Sequence, residues 1–230
     1  MYFRAGLPDA KRILDVGCGS GSVTRDLCLL TNGHVTAVDV DAAMVKAARA
    51  TLRGLPNVTV RRADGHRLPF DDESFDLVVA NLLFMWAERP QEVASELARV
   101  ALRGGRVLAS MEPDYGGKVH YPENPIVDQV FQGRMIERKG GDPHAGRKLR
   151  TYFVRAGLSA EVGLSNPRIP SCEEDLASYE VEKGFYHRAL ADAGLKADEI
   201  RAWERDYLAS LREGTQLNYL PLFYAIGTKK

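Results

Sequence analysis

Three glycines and three acids carry most of the chemistry that can be read from this sequence. The run Ile13-Leu-Asp-Val-Gly-Cys-Gly-Ser-Gly21 places glycines at 17, 19 and 21, with Asp15 two residues before the first. Glycine lets the backbone turn sharply and leaves no Cβ where a ligand must approach closely. Asp39 follows 18 residues after Gly21. A carboxylate there can accept hydrogen bonds from both hydroxyls of a ribose. This half of the chain should therefore bind a nucleoside-containing cofactor. The dinucleotide fingerprint G-x-G-x-x-G sets a helix N-terminus against a pyrophosphate. Here the spacing is G-x-G-x-G, and Ser22 stands at the fingerprint's third glycine position. Asp15 would repel a pyrophosphate but can help bind the ammonium of an amino-acid cofactor, directly or through water. That is a physical reason to prefer S-adenosylmethionine over NAD.

These residues need strands to hold them. Short β-branched runs alternate with helical patterns through the first two-thirds of the chain. Strands are expected at 13–16, 35–40, 58–62, 75–80 and 106–110, with helices near 22–30, 42–52 and 90–101. Strands without clean polar alternation, separated by helices, imply a parallel sheet buried on both faces. A Pro/Gly-rich loop is expected over 113–125, then helices near 126–139 and 143–156, with Asp142-Pro143 read as an N-cap and first-turn proline. A sixth strand is expected at 160–164. Ser171-Cys-Glu-Glu174 has the S-x-x-E form of a capping box and opens a helix toward 190. A second helix carries Ile200, Trp203, Tyr207 and Leu211 on one stripe, with Gly214 just past its end. The apolar and aromatic stretch 216–226 reads as the final strand. The expected fold is thus α/β: a Rossmann-like, seven-stranded, mostly parallel sheet with helices on both faces and an antiparallel last strand. It forms a single domain over 1–230, with 1–170 and 214–230 as the core and 171–213 as a helical insertion or lid between the last two strands.

Composition narrows the class. The chain has 230 residues, 31 Lys plus Arg against 31 Asp plus Glu, and only three cysteines. A net charge of zero gives no global attraction to nucleic acid or acidic membrane, although a local basic patch remains compatible with it. Cys18, Cys28 and Cys172 form no C-x-x-C pair, which suits reduced thiols and a cytoplasmic setting. No apolar run reaches transmembrane length, and 1–12 lacks a signal-peptide core.

Around these motifs the sequence resembles the class I S-adenosylmethionine-dependent methyltransferases. Within them it is similar to the group that includes the ubiquinone/menaquinone-biosynthesis enzymes, closely over 11–115 and loosely beyond. Asp15-Val-Gly-Cys-Gly-Ser-Gly21 resembles the family's first motif, which wraps the methionine end of the cofactor and would use Asp15, Gly17, Cys18, Gly19 and Gly21. Val38-Asp39-Val-Asp-Ala-Ala-Met44 resembles the second. The resemblance implies that Asp39 binds the ribose, with Val40 beside it and Met44 near the adenine. Ala63-Asp64-Gly-His-Arg-Leu-Pro-Phe70 resembles the third, implying that Asp64 accepts from the adenine amino group while Ala63 and Gly65 border the ring. Phe75-Asp-Leu-Val-Val-Ala-Asn81 resembles the fourth, implying that Asn81 and Leu82 lie beside the methionine moiety. Leu102-Arg-Gly-Gly-Arg-Val-Leu108 resembles the turn into strand five. Family members usually carry one or two helices ahead of the first motif. Tyr2-Phe-Arg-Ala-Gly-Leu-Pro8 resembles only the end of that element, so the expectation is either an earlier start or cover supplied by 171–213.

Each residue also has a plainer reading. Cys18 reads as a small filler rather than a nucleophile, since nothing marks its thiolate as activated. Met44 could pack the core instead of a cofactor, and Asn81 could simply cap its strand. Glu112, Asp114 and Tyr115 follow strand five, at the carboxyl edge where such sheets bind ligands. Any one of them could orient or deprotonate an acceptor, or merely cap a helix or pair with an arginine. His66 and His120 read as surface or structural residues. The basic stretch 134–155, with Arg134, Arg138, Lys139, Arg147, Lys148, Arg150 and Arg155, could hold a substrate anion but more often forms a solvated face. The expected function is methyl transfer to a small molecule with no metal. The rivals are a protein or RNA methyltransferase and a non-catalytic cofactor-binding module. Asn81-Leu-Leu-Phe84 stands where amide- and base-amino methyltransferases carry Asn-Pro-Pro-Tyr, which argues against nucleobase and glutamine acceptors.

Overall fold

A computed structural model describes residues 1–123 and 135–230. Its strands are β1 (Arg12–Val16), β2 (His34–Asp39), β3 (Val58–Arg62), β4 (Phe75–Asn81), β5 (Ala101–Pro113), β6 (Val119–Tyr121), β7 (Leu158–Leu164), β8 (Leu217–Tyr219) and β9 (Leu222–Lys229). Its helices are α1 (Ser22–Leu30), α2 (Ala42–Thr51), α3 (Pro90–Val100), α4 (Met135–Arg138), α5 (Ala145–Arg155), α6 (Cys172–Asp192) and α7 (Ala197–Glu213). The chain divides into two compact units. One contains 1–113, 145–165 and 222–230, and the other 114–144 and 166–221. No helix among the described residues is long and apolar enough to cross a membrane.

The first unit holds a seven-stranded sheet in the order β3-β2-β1-β4-β5-β9-β7. The pairs from β3 through β5 are parallel, and β9 runs antiparallel to both β5 and β7. This is the expected fold class, with the helices α6 and α7 falling between the last two sheet strands in sequence. Ile13, Leu77 and Val79 pack with Leu27 of α1 and Val35 on one face. The opposite face meets α3 and α5: a Cβ on Gly65 would touch Val16 and Val93, and one on Gly227 would touch Phe153. Both faces of the central strands are therefore dry, which explains their unbroken apolar runs. Ala5, Leu7 and Ala10 are buried in the same cluster as Ile13, so the segment before β1 is part of this core.

The second unit rests on an aromatic cluster. Tyr179 and Leu190 of α6 pack with Ile200 and Trp203 of α7, flanked by Tyr186 and Tyr207. Trp203 stacks on Tyr207 with ring centroids 5.3 Å apart and 13° between planes. The expected stripe is thus the packing face of its helix. The capping box forms as the sequence indicates: the Glu174 amide donates to the Ser171 hydroxyl and the Ser171 amide to the Glu174 carboxylate. Gly214 ends α7 in the left-handed conformation, φ 73°, which glycine adopts without a Cβ penalty.

Four boundaries differ from expectation. The stretch 216–226 is not one strand: β8 pairs with β6 in a separate two-stranded ribbon, and β9 begins only at Leu222. Pro221 lies between them and has no N–H to continue a ladder. The loop expected over 113–125 contains a 3-10 turn at Tyr115–Gly117 and the strand β6. Strand five is longer than expected, because its amino end pairs with Phe75 across a register shift. Finally, α5 starts at Ala145 rather than at Pro143. Asp142 accepts the His144 amide at 2.9 Å, a local side-chain bond in the turn just before the helix. Of the helix expected over 126–139, only α4 lies within the described residues.

Candidate cofactor site

The glycine loop is pinned by the backbone of the neighbouring strand. The amides of Gly17 and Cys18 both donate to the Val38 carbonyl, at 2.8 and 3.0 Å. Gly17 and Gly21 have φ of 74° and 86°, where L side chains are strained. A Cβ on Gly17 would lie 2.8 Å from Leu83, and one on Gly21 would lie 3.1 Å from the Ala48 backbone. Those two glycines serve packing as well as turning. Gly19 differs: a Cβ there would meet nothing within 4 Å, so the loop presents open space at that point.

Asp15 lies in the strand that precedes this loop and Asp39 is bonded to it, and the fold treats the two differently. Asp15 is buried. Its Oδ2 accepts from the Thr24 hydroxyl at 2.6 Å, while its Oδ1 is buried without a hydrogen-bond partner. Burial, opposed by the Thr24 bond and assisted by the Asp39 charge, raises its carboxyl to about 6. A buried acceptor with no partner is costly, and a ligand ammonium would satisfy it. Asp39 accepts the Gly19 amide on Oδ2 at 2.8 Å and the Asp41 amide on Oδ1 at 2.9 Å. Each carboxylate oxygen has two lone pairs, so both can still take a hydroxyl. Cys18 is buried, and its thiol is pushed up to about 12 by burial and then by the charges of Asp15 and Asp39. It is protonated at neutral pH, as suits a small filler.

Three apolar side chains of the expected set stand in solvent. Val40, Met44 and Leu82 are 57%, 38% and 40% exposed, so Met44 is no core residue. Asp64 is also exposed, and Ala63 and Gly65 are half-buried. The Asp64 carboxylate is oriented from one side: the His66 amide and the His66 Nδ1 both reach its Oδ1, at 2.9 and 2.7 Å. These contacts hold its carboxyl below the usual range. The Arg89 amide in turn donates to the His66 Nε2 at 3.3 Å. The ring therefore carries its proton on Nδ1 and serves Asp64.

At the carboxyl ends of β4 and β5 the backbone is strained. Leu82 and Met111 adopt φ of 52° and 61°, a region costly for side-chain-bearing residues and concentrated at functional sites. The Leu82 amide donates to the Ser110 carbonyl at 3.2 Å, and the Ser110 hydroxyl to the Asn81 Oδ1 at 2.9 Å. Glu112 is buried, and its two oxygens accept the amides of Phe84 and Met85 at 2.8 and 3.0 Å. Burial pushes its carboxyl up to about 7, opposed by these amide bonds. In the second unit, Asp114 is buried with its Oδ1 3.2 Å from the His144 Nδ1. Burial also raises the Tyr115 hydroxyl, with Glu182 as the smaller cause.

The sequence brings Asp15, Asp39 and the glycine loop together as expected. It did not single out Thr24, Leu83 or His144. Thr24 stands one helical turn after Gly21, the only signal that it could reach back to Asp15. The spacing of Asp64 and His66 could have suggested their local hydrogen bond. Of the basic stretch 134–155, Arg134 lies outside the described residues. Arg138 donates to the Asp192 carbonyl at 2.9 Å.

Comparison with known proteins gives a consistent picture. Residues 14–109 match the family described as a methyltransferase domain. An uncharacterized methyltransferase of Schizosaccharomyces pombe is 31% identical over 215 residues, spanning 84% of this chain and 77% of the relative. A malonyl-[acyl-carrier protein] O-methyltransferase of Halalkalibacterium halodurans is 26% identical over 92% of this chain and 76% of its own length. Among solved structures, phosphoethanolamine N-methyltransferase 2 of Haemonchus contortus in complex with S-adenosyl-L-methionine superposes with a TM-score of 0.64 at 16% identity. It covers 96% of this chain and 49% of that one, and the likeness is one of fold.

Proposed function

We propose, from the premise that this chain belongs to the class I S-adenosylmethionine-dependent methyltransferases, that its acceptor is a small molecule. Its activity is methyl transfer and its cofactor is S-adenosylmethionine. The observation that carries the residue assignment is the buried, unpartnered Oδ1 of Asp15, in the strand that runs into the glycine loop where Gly19 meets open space. That pairing fits an amino-acid cofactor, whose ammonium answers a carboxylate, and does not fit a pyrophosphate.

In this reading Asp15 receives the ammonium, with Gly17, Cys18, Gly19 and Gly21 forming the wall around the methionine end. Asp39 takes the ribose hydroxyls. Val40, Met44, Ala63 and Gly65 border the adenine, and Asp64 accepts from its amino group, held in place by His66. Asn81 and Leu82 border the methionine end. S-adenosylmethionine supplies an electrophilic methyl group on a sulfonium, and the protein's part is orientation and exclusion of water. Glu112 acts through others. With both oxygens on the amides of Phe84 and Met85 it fixes the strained turn after Asn81, and we assign it positioning rather than proton abstraction. Asp114 is assigned to the acceptor, and within its own unit it orients the His144 imidazole through its Oδ1. Tyr115 is assigned to acceptor orientation. The small-molecule reading draws support from the net charge of zero and from the neighbour that acts on phosphoethanolamine.

The test is a labelled-methyl transfer assay against cell extract. Label should enter a low-mass fraction and persist after nuclease and protease treatment. Loss of label to either treatment would move the acceptor to RNA or protein. Titration calorimetry with S-adenosylmethionine tests the cofactor assignment separately, and no binding by folded protein would overturn it.

A further inference from the structure

The net charge of zero conceals a strongly uneven distribution. Residues 42–63 contain Lys46, Arg49, Arg53, Arg61 and Arg62 and not one acid. The fold gathers four of these around one concavity. A depression of about 440 Å³ between α2 and the sheet-edge strand β3 is lined by Ala42, Val45, Lys46, Arg49, Arg53 and Arg62, among others. All four cations are exposed. Arg49 donates to the Val60 carbonyl at 3.2 Å and Arg62 to the Val40 carbonyl at 2.8 Å, so backbone contacts hold two of the guanidinium groups in place. Among the described residues none of the four is ion-paired. The acids that flank the segment are engaged elsewhere: Asp41 caps α2 through the Ala43 amide, and Asp64 is bonded to His66.

A solvated helix face accounts for scattered lysines and arginines, usually interleaved with acids at i and i+4. It does not account for four unneutralised cations around a hollow, whose mutual repulsion costs stability. We propose that this groove binds a small molecule carrying two or more phosphate groups. The hollow is of small-molecule size. Guanidinium groups match phosphate oxygens in bidentate fashion. Lys46 and Arg49 stand on α2 and Arg53 in the turn just past its end, so the three attachment points are spread beyond the ~5.4 Å axial length of one helical turn. A single phosphate cannot engage that length, whereas a di- or triphosphate can. The small apolar residues Ala42 and Val45 leave room beside the cations for an uncharged moiety. The proposal does not depend on the identity of the methyl acceptor.

Calorimetry of the whole chain with inorganic tripolyphosphate tests it. We expect a Kd of about 100 µM or tighter at low salt, weakening as ionic strength rises. Monophosphate should bind at least about tenfold more weakly. The variant K46Q/R53Q should lose roughly tenfold or more in tripolyphosphate affinity, while its S-adenosylmethionine affinity stays unchanged and attests the fold. If the double variant does not fold, K46Q and R53Q singly carry the same comparison. The proposal is overturned if the wild-type chain does not bind tripolyphosphate, or if the variant binds it as well as the wild type. It is also overturned if monophosphate binds equally well. Finally, a single-stranded oligonucleotide or an anionic phospholipid vesicle binding about tenfold more tightly would make the groove a macromolecular surface.

Discussion

The two units of this protein are held together by different means. Around the cofactor site, order comes from backbone geometry: left-handed glycines, amides donated to carboxylates, and buried acids at strand ends. In the second unit it comes from side-chain volume, with four aromatic rings interleaved between two helices. The first arrangement fixes polar atoms for a ligand and leaves one of them, the Asp15 Oδ1, unsatisfied. The second buries its apolar surface internally. A site made from backbone tolerates few residue types at fixed spacing, whereas a packed cluster tolerates many substitutions that conserve volume.

That contrast can be broken by experiment. The largest expected effect is in the second unit. Trp203→Ala should cost about 3–5 kcal/mol of stability by chemical denaturation, as loss of a buried aromatic does. The folded fraction should bind S-adenosylmethionine as before, and a matching loss of cofactor affinity would erase the distinction between the units. Next, Asp39→Ala should weaken S-adenosylmethionine binding by roughly 30–150-fold, about 2–3 kcal/mol for a charged hydrogen-bonding partner. Unchanged affinity in calorimetry would remove the ribose assignment. Glu112→Gln should then cost about 1–3 kcal/mol of stability, because an NH₂ group would face one of the amides of Phe84 and Met85. If Glu112 is instead a proton acceptor, this variant would keep its stability and lose only turnover. The smallest effect is in pH dependence. Cofactor-free Asp15 titrates near 6 and must ionise to meet an ammonium. S-adenosylmethionine affinity should therefore rise about tenfold between roughly pH 5 and 7. The same raised values for Asp15 and Glu112 mean that the folded protein holds these protons more tightly than the unfolded chain does. Stability of the cofactor-free protein, followed as Tm, should fall as pH climbs from about 4 toward 7. A flat affinity profile would show that Asp15 does not meet the ammonium.

Legibility in the sequence followed the same division. The central parallel strands read as mostly apolar runs because their faces are largely dry, so the sequence places β1, β2 and β4 nearly to the residue, whereas β3 at the sheet edge is exposed. The capping box at Ser171 and the stop at Gly214 were equally clear, since each depends on neighbours within one turn. The ribbon of β6 and β8 was not. It joins residues about a hundred positions apart, and neither strand has a hydrophobic period of its own. Tyr219 and Leu222 look alike in sequence, and only Pro221 between them hints that one strand ends before the next begins.

The sequence by itself determined the glycine loop, the acids at 15, 39 and 64, and the order of strands and helices. Those features depend on local backbone rules, and local rules are written in adjacent residues. The tertiary structure decided what each acid faces. Asp15 and Glu112 are both carboxylates after or within apolar strands, yet one keeps an orphan oxygen and the other is saturated by two amides. The same holds for Lys46, Arg53 and Arg62, which are ordinary surface cations in sequence. They become a charged hollow only where α2 lies along the edge of the sheet. Burial, partnership and the summed field of several charges depend on distances between residues remote in the chain, and only folding sets those distances.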